Sequence, residues 1–341
     1  MAHERHPRPH RAGGVVVKRD PLPFDYLPPV SLPHPEPTIA ERLILGDELH
    51  FGDDHPQWWE GRRKRPCQTA AEAAVERLRL VQRLRRYSAR VDFNARAVAD
   101  RLERCCPDFR CRSGACPECA RAWQRWFTVA TQDFLAHATP TGSQGMILSP
   151  VHETGIVEPG EGLPPAALRS VKSVVHDALT AAGLTTAVVG IDVSFNEHLT
   201  ADFRPHWCLH PRVFVPGALT ASAVRTLRTH FPPSELIPRP LKVAAFDGNP
   251  AGIAYGMKPA FGRRQSYEQT KPTATGTRQC RNTRGRPLRG DEAVELAIFL
   301  DAVGLRQRLI LHEAALKRDQ GGAVVIRLDH RLPKHAPLLS R

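Results

Sequence analysis

The sequence predicts an α+β fold built on an antiparallel sheet. Three observations carry this. Residues 139–260 alternate strand-like and helix-like apolar patterns in the order β-α-β-β-α-β. Five of the eight cysteines fall within 105–119, which marks a metal-stapled knuckle beside helices. The stretch 261–290 collects eight Arg and Lys against a single acid, Glu268, with little apolar content.

Along the chain, residues 1–66 are rich in Pro and His and end in the run Arg62, Arg63, Lys64, Arg65. They read as an irregular segment with a short helix near 38–45. The opening charges are followed by no apolar core, so no secretory signal is expected, and no apolar run approaches the ~20 residues of a membrane span. A cytoplasmic protein is the expectation. Residues 67–138 read as a helical region that holds the cysteines. Within it, 69–104 is a helix with Leu78, Leu80, Val81 and Leu84 on its apolar side and Arg77, Arg79, Arg83, Arg85, Arg86 and Arg90 elsewhere, a face that could lie on phosphates or simply in solvent. A helix over 118–137 carries Trp123, Trp126 and Phe127 at i, i+3, i+4, the spacing of a core stripe.

The alternating block then gives a strand at 144–149 and a helix at 164–182 opened by Pro164-Pro165 and stopped by Gly183. Strands at 186–195 and 204–215, a helix at 219–231 and a strand at 240–246 complete it. That order is the split-βαβ, ferredoxin-like arrangement. Asn249 and Pro250 open a further helix, which Pro259 ends at Lys258. Residues 261–290 read as a flexible basic arm, and 291–341 as a helical C-terminal segment with a helix at 291–303 and a strand at 323–328.

The chemistry concentrates in three places. In CCPDFRCRSGACPEC, Cys116 and Cys119 form a CxxC pair, Cys111 lies five residues before it, and Cys105 or Cys106 supplies a fourth thiolate. Four thiolates around Zn²⁺ make a closed structural site. Nearby Arg112 and Arg121, with Arg110 and Arg125, would suit phosphate contact. In RPHWCLHPRVFV, His206, Cys208 and His210 share one strand face, so His206 with Cys208, Cys208 with His210, or a bulged His206–His210 pair could hold a divalent cation. In AYGMKPAF, Tyr255 and Lys258 share a helix face, a phenol that could attack phosphorus beside an ammonium that could steady the charge. The net charge of +13, from 48 Lys and Arg against 35 Asp and Glu, points to a polyanion as partner, above all nucleic acid.

Taken in order, CRSGACPEC, MILSPVH, GIDVSFNEH with RPHWCLHPRVFV, and AYGMK resemble the cysteine knuckle and successive motifs of the rolling-circle replication initiators of plasmids and phages, within the HUH endonuclease class. ELAIFLDAVGLRQRLIL looks like the tail of such proteins, and the likeness spans about 105–315. The resemblance implies a nuclease domain at 139–260 that uses Mg²⁺ or Mn²⁺ and nicks single-stranded or hairpin origin DNA. Tyr255 would be the nucleophile and Lys258 its helper. The products would be a 5′-phosphotyrosine and a 3′-OH primer, with host replication proteins as partners. His152, Glu153, Glu197 and His198 are candidate additional ligands. Arg263, Arg264, Arg284 and Arg286 in the arm would hold DNA with Arg112 and Arg121. The chain departs from the family's His-hydrophobic-His pattern, since Cys208 and Arg212 follow His206 and His210 at spacings of two. Two other readings remain open: a transposase or relaxase of the same chemistry, and a zinc-knuckle DNA-binding regulator without catalysis.

Overall fold

The computed structural model describes residues 67–88, 93–160, 162–200, 203–273 and 276–329; the expectations for 1–66 lie outside them. The chain is α+β. Helices α1 (Ala70–Ser88), α2 (Phe93–Glu103) and α3 (Pro117–Ala138) precede strands β1 (Met146–Pro150) and β2 (Ile156–Val157). Then come α4 (Pro165–Ala181), β3 (Ala187–His198), β4 (His206–Val215), α5 (Ala221–His230), β5 (Leu241–Ala245) and α6 (Pro250–Ala254). The chain continues with β6 (Gly262–Thr273), β7 (Gly276–Pro287), α7 (Gly290–Val303), β8 (Leu309–His312), β9 (Ala314–Arg318) and β10 (Val324–Leu328).

The main sheet runs β5-β1-β4-β3-β6-β7, with β2 against β4 and β8 against the first residues of β3. Its β5-β1-β4-β3 part is antiparallel throughout. β6 runs parallel to β3, so the sheet is mixed rather than antiparallel as expected. On β4 and β3 one set of alternate residues (Trp207, Leu209, Val213 with Phe195, Val193, Ile191) is buried and meets the α4 side, where a Cβ on Gly155 would meet both Val171 of α4 and Leu209 of β4. The opposite set carries His206, Cys208, His210, Arg212, Asp192, Ser194 and Asn196.

Helix α3 is almost wholly buried, and Trp123, Trp126, Phe127 and Phe134 are core residues as their spacing predicts. Trp126 Nε1 donates to the Val324 carbonyl at 2.7 Å and ties the β9–β10 hairpin to the helix. The expected single helix over 69–104 is two helices, α1 and α2. Their arginines are in part neutralised: Arg77 meets Glu118 at 2.6 Å, and Arg85 pairs with Asp100 and Glu103.

Two expectations for the C-terminal third are corrected. The basic stretch 261–290 is no flexible arm. It is a long hairpin, β6–β7, in register from Gly262↔Pro287 to Thr273↔Gly276. Only Arg263 to Ser266 are also paired with β3, so beyond residue 266 the ribbon pairs with itself and extends past the sheet. Its alternation of polar long and short side chains supplies no apolar signal, while Thr, Tyr and Gln tolerate a pleated strand. Nor is 291–341 a helical segment. After α7 the chain forms β8, which joins the main sheet, and the β9–β10 hairpin. Gly304, at φ +67°, is where α7 stops.

Candidate functional site

The cysteine cluster sits where α2 ends and α3 begins. Cys116 is the N-cap of α3, Pro117 follows it at the first helical position, and Cys119 lies in the first turn. Four cysteines, Cys105, Cys111, Cys116 and Cys119, bring their sulfurs within 4.8 Å of one another. The separations are 3.6 Å for Cys105–Cys119 and Cys105–Cys116 and 3.8 Å for Cys111–Cys119. A tetrahedron of sulfurs ~2.3 Å from a zinc ion has edges of about 3.8 Å. The thiols are free, not disulfides, and their geometry fits a four-thiolate zinc site. Cys106 is exposed and outside the cluster, so Cys105 is the residue that would supply the fourth thiolate. Hydrogen bonds from Cys111, Cys116 and Cys119 hold the Cys105 thiol far below the ordinary range.

Around this knuckle Arg110, Arg121 and Arg125 are structural rather than free for phosphate. Arg110 reaches Glu118 at 2.8 Å. Arg121 is buried and donates to the Gln68 carbonyl at 3.1 Å, and Arg125 is buried too. Arg121 is therefore withdrawn as a DNA contact. Arg112 is half-buried at φ +58°, a backbone setting that few non-glycine residues adopt.

The three strand residues do share one face, as their spacing requires, but they do not assemble a cation site. The β3–β4 register runs unbroken from Val188↔Phe214 to Asn196↔His206, so no bulge draws His206 towards His210. Four residues of regular strand separate their backbones by ~13 Å. Burial pushes the Cys208 thiol up to about 12, which keeps it a neutral thiol and a poor ligand for a hard cation. His210 has both ring nitrogens engaged, Nε2 with Ser194 Oγ at 2.6 Å and Nδ1 with Cys208 Sγ at 3.8 Å. Among the described residues the cysteine knuckle is the only cluster of three or more His, Cys, Asp or Glu placed to hold a metal. The donor set at His206, Cys208 and His210 does not fit Mg²⁺ or Mn²⁺. Three of the four further candidates are occupied: Glu197 binds Arg263, Gln265 and Arg289, His198 lies 3.8 Å from Glu268 and bonds Thr200, and His152 caps the turn at Glu153–Gly155.

Burial, joined by the positive charges of Arg264, Lys258, His206 and Arg212, pulls His210 down to about 3 from its ordinary 6.5. The unfolded chain takes up a proton at pH 6.5 that the folded chain refuses until about pH 3. Stability should thus fall between those values, by on the order of 3–5 kcal/mol at the acid end. His210→Gln should flatten this acid limb in urea titrations at successive pH values; an unchanged limb would remove His210 as its source.

Next to this face stands the tyrosine. Helix α6 is opened by Asn249, whose side chain accepts from the Ala251 amide, and runs into a 3₁₀ turn at Tyr255–Met257. Gln124 of α3 donates to the Ala254 carbonyl at 2.7 Å and fixes where the turn sits. The turn lies so close to β3 that a Cβ on Gly190 would stand 2.9 Å from the Gly256 carbonyl oxygen, so only glycine fits there. The Tyr255 ring has the Arg212 guanidinium 5.1 Å and the Lys258 ammonium 5.2 Å from its centre. Lys258 also meets buried Asp192 at 2.7 Å, and Arg212 donates to Ser149 Oγ at 2.8 Å. Sequence reasoning placed Tyr255 and Lys258 on one turn, where they lie. It missed the roles of Asp192, Ser149 and Arg308, because β-sheet neighbours from distant segments leave no local pattern.

His206, Cys208 and His210 line a cleft of about 690 Å³ whose other wall is the hairpin, through Arg264, Ser266, Gln279, Arg281 and Thr283. Arg239 closes a further side. Arg264 thus reaches the cleft. Arg263 does not: it is half-buried and locked to Glu197 at 3.1 Å. Arg284 and Arg286 are exposed, and Arg284 lies over Tyr267.

Compared with known proteins, the chain matches no family model, no curated protein and no solved structure. Among the described residues no helix is long and apolar enough to cross a membrane.

Proposed function

We propose that this chain is a DNA strand-nicking and strand-joining protein of the rolling-circle initiator type. One observation carries the reading: the Tyr255 ring has two cations, Arg212 and Lys258, against it, at the Arg212 end of a polar sheet face whose other end, at His206, Cys208 and His210, lines a basic cleft that the tyrosine itself does not line. The strand order β5-β1-β4-β3, with α4 and α5 as crossovers, supports the ferredoxin-like arrangement on which the initiator reading rests. DNA is the polyanion that the net charge favours, with the zinc knuckle stabilising the helical region beside the sheet.

In the proposed step, the Tyr255 phenolic oxygen attacks the scissile phosphorus. A P–O bond to tyrosine forms as the P–O3′ bond breaks. The phenolic proton passes to solvent and the departing 3′-oxygen takes one up, leaving a 5′-phosphotyrosine and a 3′-OH. Attack on that linkage by another 3′-OH reverses the step and rejoins the strand. Incubation with labelled single-stranded oligonucleotides, followed by denaturing electrophoresis, should show a covalent adduct that Tyr255→Phe abolishes. An adduct that survives Tyr255→Phe would sink the assignment.

A second reading has its own observation. The His206, Cys208, His210 face does not form the cation site that such enzymes use, which favours a zinc-knuckle regulator that binds DNA without cutting it. Tight, salt-sensitive DNA binding by wild type with no adduct, with or without Mn²⁺, would select it.

A further inference from the structure

Beneath Tyr255 the charges do not balance. Arg212, Lys258 and Arg308 all feel the charge of one carboxylate, Asp192, which pairs directly with Lys258. Lys258 Nζ lies 2.7 Å from Asp192 Oδ2. Lys258 and Arg308 both lie on the Phe261 ring, 5.7 Å and 5.3 Å from its centre, and Arg308 Nε donates to the Ile191 carbonyl at 2.9 Å, one residue from Asp192. Arg308 is 2% exposed and Asp192 1% exposed. Three cations against one anion leave an excess of positive charge in a largely dry place, and buried charge without a partner is costly. Burial accordingly depresses Arg212, and holds Arg308 down to about 10.

Orphaned atoms mark the same place. Arg212 Nε and Arg308 Nη2 are buried donors with no hydrogen-bond partner. Native interiors rarely leave such groups unpaired without a ligand to meet them. Arg212, Lys258 and Tyr255 are half-buried, so the site can be reached from solvent. Guanidinium donors suit the tetrahedral oxygens of a phosphate, which accept bidentate bonds.

We infer that Arg212 and Lys258, backed by buried Arg308, form a phosphate-binding site beside Tyr255 that takes a DNA phosphodiester without a divalent cation. The inference deepens the nicking proposal and rests on it for the identity of the phosphodiester. It assigns to two side chains the charge neutralisation that the His206, Cys208, His210 face is not built to supply.

The test uses zinc-loaded protein in buffer free of Mg²⁺ and Mn²⁺, with no chelator, since a chelator would also strip the knuckle. Inorganic phosphate is titrated by calorimetry. Wild type should bind it, and Arg212→Gln and Lys258→Gln should each weaken binding by roughly tenfold or more, the effect of removing one charge-assisted hydrogen bond. Arg212→Lys, which keeps the charge and the packing but not the fork, should fall between. Arg169→Gln, at an exposed position on α4, should leave phosphate affinity unchanged. Binding that needs Mn²⁺, or that is equal in wild type and Arg212→Lys and Arg212→Gln, overturns the site. The adduct assay run in the same buffer separates the two claims. An adduct formed only with Mn²⁺ overturns the metal-free site and leaves the nicking proposal standing. Phosphate binding sensitive to Arg212 without any adduct does the reverse.

Discussion

Cys116→Ser is expected to unfold the helical region and to lower the melting temperature of the whole chain. Cys116 is fully buried, lies 3.6 Å from Cys105, and caps the helix on which the core is built. The loop between α2 and α3, Cys105 to Cys116, contains Pro107, Asp108, Arg110, Arg112 and Gly114 and has too little apolar surface to hold itself. In such a loop the binding free energy of the ion is folding free energy, on the order of 10 kcal/mol for structural zinc at neutral pH. Removal of a ligand loses part of that and leaves three thiols crowded in a space they no longer fill. α3 would feel it directly, since Trp123, Trp126 and Phe127 all pack from it. Mass spectrometry under native conditions should find one zinc per wild-type chain and none in the variant, with a matching drop in thermal stability by circular dichroism. Cys106→Ser, at an exposed position outside the cluster, should change neither. A wild-type chain without zinc, or equal stability of the two variants, would remove the knuckle.

The second large effect is on binding. Replacement of Lys271, Arg278, Arg284 and Arg286 by Gln together should weaken affinity for duplex and single-stranded DNA by roughly 10²-fold or more at low salt. It should also flatten the slope of log Kd against log salt by about 3–4, roughly one for each phosphate left without its cation. The register places these four side chains and Tyr267 on one face of the ribbon, with Lys271 directly opposite Arg278. Like charges opposite each other destabilise a hairpin by themselves, so the arrangement implies an external polyanion that neutralises them. The free part of the ribbon, about seven residues per strand, spans roughly 23 Å, and a two-stranded ribbon is narrow enough for a major groove. Filter binding over a salt series measures both quantities. An unchanged slope would show that the hairpin does not touch the phosphates.

Local physics explains what could be read in advance. The apolar periods of 164–182 and 118–137, the N-cap at Asn249 and the Trp123, Trp126, Phe127 stripe depend on residues within one or two turns of each other, and all lie in the structure where they were expected. The hairpin was not legible because charge obscures strand propensity: with no buried face, residues 261–290 show no alternation of apolar and polar residues. The arginines at 110, 121 and 125 were misread for the opposite reason, since burial of an ion-paired or carbonyl-bound arginine depends on where Glu118 and Gln68 come to lie.

By itself, then, the sequence determined that this is an α+β chain of high positive charge with a cysteine cluster suited to a metal, and that Tyr255 and Lys258 share one turn. Short-range spacing and composition suffice for that. Only the tertiary structure decided that Cys105 rather than Cys106 completes the knuckle, that β4 runs straight and keeps His206 apart from His210, and that Arg212 joins Lys258 on the Tyr255 ring with buried Asp192 behind that lysine. Those outcomes depend on sheet register and on the meeting of segments far apart in the chain, which a one-residue shift would reverse.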